Sequence, residues 1–145
     1  MKISVLALGA WLAFGAASAS AAGTILIQQA DGSSNVYDDV AIKVIHSVLY
    51  MTTADGRGTL VISKAACSYQ GQLMVCFATS AALVQAGKTS ALDFKNGTVY
   101  VNNTDDPQPL ALSTQKVPPH GILVSLTTKK GTYISLSGQI DKVVK

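Results

Sequence analysis

Residues 58–77 read GTLVISKAACSYQGQLMVCF and hold the only two cysteines of the chain, Cys67 and Cys76. The stretch reads as two strands joined by a tight turn at Gly71-Gln72, with glycine in the first position that a type II′ turn favours. Counting outward, Gln70 faces Leu73, Tyr69 faces Met74, Ser68 faces Val75, and Cys67 faces Cys76. The pair beside a two-residue loop is hydrogen-bonded and the pairs then alternate. The cysteines thus fall on a non-hydrogen-bonded pair, with Cα atoms about 4.5 Å apart. A disulfide spans about 4.4–6.8 Å between Cα atoms, so this hairpin is expected to be stapled. Closing so short a loop contributes about 2–3 kcal/mol through the unfolded chain.

A disulfide needs an oxidising compartment, and the N-terminus supplies the argument for one. Met1-Lys2 is a short basic segment, Ile3 to Ala17 is apolar and uncharged, and residues 17–22 are small with A-x-A sites. This is the pattern of a secretory signal peptide, with cleavage expected after Ala21. The apolar run falls short of the roughly 20 residues of a membrane span, so no stable membrane insertion is expected once it is removed. Residues 22–145 then form one domain, periplasmic or secreted, and bacterial by the brevity of the signal. Free thiols or a zinc site fit less well: no CxxC or HxxxH accompanies the pair, and zinc needs about four ligands.

Without Lys2, ten Lys and Arg face eight acids, a net charge of +2, and every acid is Asp. A charge so near neutral gives no electrostatic case for nucleic acid or for an anionic membrane surface.

Turn signals punctuate the rest of the chain. Thr24 to Gln29 is a short apolar strand and residues 31–35 are turn chemistry. Val40 to Thr52 favours strand by its β-branched content, while Val40, Val44 and Val48 also fit helical spacing. Ala54-Asp55-Gly56-Arg57 is a turn between apolar runs. Thr79 to Gln85 reads as a short helix or an edge strand. Asn96-Gly97 is a type I′ signal, which would make Ala91 to Asn102 a hairpin with Phe94 opposite Val99 and Leu92 opposite Val101. Gly121 to Gly138 is a last hairpin turning at Lys129-Lys130-Gly131, with Ile122, Val124, Leu126, Ile134 and Leu136 facing the same core. The expected fold is all-β: a small antiparallel β-sandwich or barrel-like domain of hairpins with one hairpin disulfide.

Between the last two hairpins, Asn103 to His120 holds all four prolines and no clean periodicity. Loops of this length are uncommon unless functional or disordered, so it is the candidate binding loop, with Asp105, Asp106, Leu110, Leu112 and His120 as its contact residues.

Chemistry is sparse. There is no G-x-S-x-G elbow, and Gly87-Lys88-Thr89 has Ala82 where a phosphate-binding loop needs glycine. Asp31, Ser33, Asn35 and Asp39 start like a calcium loop, but Val36 and Ile42 stand where glycine and a bidentate Glu belong. His46 reads as an outward residue of a strand. No metal or cofactor is expected. Two classes of function remain. The first and preferred is a non-enzymatic binding or structural module whose partner is an unknown protein, a surface polymer or a second copy. The second is a hydrolase with a dispersed site around His120 and Asp105 or Asp106. A concave pocket joining His120 to an acid and a hydroxyl would favour the enzyme.

Overall fold

The computed structural model describes residues 23–111 and 113–145. The signal segment expected at 1–21 and the loop residue Leu112 therefore lie outside the described residues. Every regular element among the described residues is a strand: β1 (Gly23–Gln28), β2 (Ser34–Ile45), β3 (Val48–Thr52), β4 (Gly58–Gln70), β5 (Leu73–Gln85), β6 (Lys88–Ala91), β7 (Phe94–Asn102), β8 (Gln108–Pro109), β9 (Lys116–Val117), β10 (Gly121–Thr128), β11 (Tyr133–Gln139) and β12 (Lys142–Val144).

Large strands pair antiparallel with their successors, and β1 bonds both β2 and β11, so the sheet closes on itself. The result is a closed eight-stranded barrel in which β6 and β7 share one place beside β5. Of the two architectures expected, the barrel holds and the sandwich does not. Closure removes the free edges that two stacked sheets would leave. Small β12 runs parallel to β2 at one end.

Alternation fills the interior. Ile122, Val124 and Leu126 of β10 and Ile134 and Leu136 of β11 are buried inside, with Val40, Ile42, Leu49, Met51, Leu60, Ile62, Val99 and Val101 from the other strands. Their neighbours Ser125, Thr127, Ser135 and Ser137 take the opposite face. On these two strands the inward face is apolar and the outward one largely hydroxylic.

The stapled hairpin forms in the expected register near its turn, with Gln70, Tyr69 and Ser68 opposite Leu73, Met74 and Val75. Gly71 takes φ 61°, as the first central position of a II′ turn requires. Cys67 and Cys76 are bonded, with Cα atoms 4.1 Å apart. A bulge follows at once: two residues, Ala66 and Cys67, lie opposite Cys76 alone, and Ala66 takes φ 54°.

Four sequence readings need correction or resolution. Val40 to Thr52 is neither one strand nor a helix but a hairpin whose turn is His46-Ser47, at φ 50° and 68°. His46 is thus a turn residue, and positive φ at both central positions defines a I′ turn that the sequence does not advertise with Asn-Gly. Residues 79–85 are no helix and no edge; they continue β5, bonded to β4 and β6. Asn96-Gly97 is not a turn. β7 runs straight through it, pairing Asn96 with Thr127 and Gly97 with Leu126. The apolar set survives by another route: β7 bulges by one residue at Lys95, which returns Phe94 to the side of Val99 and Val101. Finally, the loop 103–120 packs on the barrel. β8 pairs with β9, and Val117 is buried with Leu73 and Leu123 on the outside of the barrel.

Candidate functional site

The loop residues come first, because the sequence pointed there. His120 Nε2 lies 2.6 Å from Asp105 Oδ1, with side chains 59% and 93% exposed. A contact so open to water contributes little. Asp106 acts through its backbone: its carbonyl accepts from the Asn102 amide at 2.8 Å and the Thr104 hydroxyl at 2.9 Å. Leu110 is half-buried against the Leu73, Val117 and Leu123 cluster, so the apolar contact expected of the loop is turned inward. Asp105 and His120 are brought together, Leu110 is not available, and Leu112 lies outside the described residues.

The loop is anchored by Asn102, the one buried polar residue among those described. Its amide nitrogen donates to the carbonyls of Asp106, Val117 and Pro118, and its carbonyl oxygen accepts the N–H and the hydroxyl of Thr104. Burial of such a group is tolerated because its polar atoms are all engaged.

The concave site lies at the opposite end of the barrel. There the β1–β2, β3–β4, β5–β6 and β10–β11 turns surround a cavity of about 680 Å³. Its floor is Ile25, Met51, Leu60, Leu83, Leu92 and Ile134; its rim carries Gln29, Thr53, Asp55, Arg57, Gln85, Asp93, Lys130 and Thr132. The other end is covered by the C-terminal segment. The Ile42 N–H donates to the Asp141 carboxylate and the Asp141 N–H to the Ile42 carbonyl, both at 2.7 Å, while Ile140 packs on the core.

The rim is held by its own turns. The Arg57 N–H donates to Asp55 Oδ1 at 3.0 Å and the Thr53 hydroxyl at 2.7 Å. The Arg57 N–H foremost, then the Thr53 hydroxyl, hold the Asp55 carboxyl below its ordinary value. In the β1–β2 turn the Ser33 hydroxyl and N–H reach Asp31 Oδ1 at 2.6 and 2.9 Å and lower Asp31 in the same way, so the calcium-like spacing serves a turn. The Thr132 hydroxyl donates to Gln29 Oε1 at 2.9 Å, tying the β10–β11 turn to the end of β1.

A volume of 680 Å³ falls within the roughly 300–1,000 Å³ of small-ligand sites, and an apolar floor under a polar rim is their usual make-up. Eight-stranded barrels are the size at which the interior is either filled or holds one small ligand. The floor residues read as core in the sequence. Alternation alone does not separate an inward residue that meets another side chain from one that meets a void. Compared with family models, with curated proteins and with solved structures, the chain matches none.

Proposed function

We propose that the protein is an exported, non-enzymatic binding barrel, working in the periplasm or outside the cell, that receives a largely apolar ligand in its open mouth. The observation that carries this reading is the cavity of about 680 Å³ with an aliphatic floor and a polar rim at one end of an otherwise filled barrel. The disulfide is consistent with an oxidising compartment, and the signal-like N-terminus points the same way.

The cavity does not favour the hydrolase alternative. His120 and Asp105 stand exposed at the end of the barrel away from the cavity, and neither lines it. The nearby Thr104 hydroxyl is already bonded to Asn102 and Asp106.

The test is titration with N-phenyl-1-naphthylamine, an uncharged apolar dye that brightens on leaving water. Saturable uptake at one site is expected, weakened about tenfold by Leu83→Trp, which fills the mouth from β5. Absence of uptake, or equal uptake by the filled variant, would remove the cavity from consideration.

A further inference from the structure

The barrel wall has a notch, and the notch opens on the cavity. β5 changes neighbour along its length: β7 pairs with residues 73–77 and β6 with residues 82–85. β7 is bonded to β10 on its other side, whereas β6 bonds β5 alone among the described strands. The last rung across the seam is the Lys129 N–H donating to the Asp93 carbonyl at 2.9 Å. Beyond that rung no described strand stands between β6 and the β10–β11 turn. Leu92 and Asp93 on one border and Lys130 and Thr132 on the other also line the cavity.

The turn fixes which groups of β6 face the notch. Gln85 and Lys88 flank the two-residue turn Ala86-Gly87, at φ 51° and 75°, so they form a hydrogen-bonded pair, as do Leu83 and Ser90. Lys88 and Ser90 therefore aim their backbone groups at β5. Thr89 and Ala91 aim theirs at the notch. Such an edge is a template for another strand, and main-chain pairing with pockets for alternate side chains is how extended peptides are recognised. A strand added here would send every second side chain toward the aliphatic floor.

Charge selects among candidates for that strand. Lys88, Lys129 and Lys130 border the notch against one acid, Asp93, and none of the three lysines has an ion-pair partner among the described residues. A second copy would oppose its own lysines to these, which disfavours self-pairing; an acidic strand is complementary.

We propose that the open mouth takes an extended peptide segment, apolar at alternate positions and acidic at its ends, which pairs with Thr89 and Ala91 of β6 and lowers apolar side chains into the cavity. This rests on the reading of the mouth as an apolar binding site.

The probe is a short blocked peptide of alternating valine and threonine with aspartate at each end, added to isotope-labelled protein. Amide exchange at Thr89 and Ala91 is expected to slow by about tenfold or more at saturation. Thr89→Pro removes one edge donor without touching a bond to β5, at a residue that does not line the cavity, and edge strands tolerate such a change. It should weaken peptide binding about tenfold while leaving dye uptake intact. A peptide with lysine in place of aspartate should bind more weakly. Unchanged exchange at both amides, equal binding by Thr89→Pro, or equal binding of the lysine peptide overturns the proposal. Dye uptake in that same sample would leave the apolar mouth standing; its loss would overturn both.

Discussion

The side-chain amide of Asn102 donates to the carbonyl of Val117 at 3.1 Å, joining the end of β7 to a strand that comes fifteen residues later. The same nitrogen reaches Asp106 and Pro118, so one buried side chain gathers both limbs of the long loop. Asn102→Ala would take this partner from the buried Val117 carbonyl and from the part-buried Pro118 carbonyl and Thr104 N–H. The expected loss is about 2–4 kcal/mol, or roughly 10 °C in Tm, with amide protection in residues 104–118 lost first. A melt within a degree or two of the parent would show that water replaces the amide.

Gly97 sits inside β7 with φ outside the left-handed region. A Cβ there would lie 2.5 Å from Leu126 Cδ2 and 2.8 Å from the Ala78 Cβ. The position needs space rather than turn freedom. Gly97→Ala should cost about 1–3 kcal/mol, and Leu126→Ala in the same chain should cost less than it does alone. Additive losses in that double-mutant cycle, measured by urea unfolding, would mean that the two do not touch.

The turn His46-Ser47 holds both residues at positive φ, where a side chain costs about 1 kcal/mol each. His46→Asn with Ser47→Gly supplies the pair that a I′ turn favours. A rise of a few degrees in Tm is expected. No rise, or a fall, would indicate that these side chains do something beyond turning the chain.

Asp55 gives the rim a pH dependence. Its folded carboxyl titrates below the ordinary 3.8, chiefly through the Arg57 N–H and then the Thr53 hydroxyl. A depressed acid contributes stability above its unfolded value, and this is lost as pH falls through the folded one. The parent should therefore lose more stability than Asp55→Asn between about pH 5 and pH 2. Equal slopes in melts at these two values would count against the bonds in solution.

Much of the barrel was legible because alternation and glycine turns are local signals. The Cys67–Cys76 staple, the Asp55-Gly56 turn and the inward sets of β10 and β11 need no tertiary knowledge. What failed were places where tertiary context overrides the local signal. Asn96-Gly97 looks like a turn, yet its glycine answers to Leu126 on a neighbouring strand. His46-Ser47 is a turn without turn residues, held by the β2 and β3 pairing on either side. The site was least legible. Asp105, Leu110 and His120 were singled out by loop length, but the loop is organised by Asn102, and the cavity floor is built from residues indistinguishable from core. The notch depends on β6 ending where β7 begins, a matter of register that no composition announces.

Closure through β1 sets the order of events in biosynthesis. The strand made first, Gly23–Gln28, is hydrogen-bonded to Tyr133–Gln139, which is made almost last. A ring has no half that is complete by itself: until β11 exists, β1 and β10 each present an unpaired edge. Pairing between chain ends is slow to form, and open edges invite association. The barrel can therefore close only once its last strands have been made.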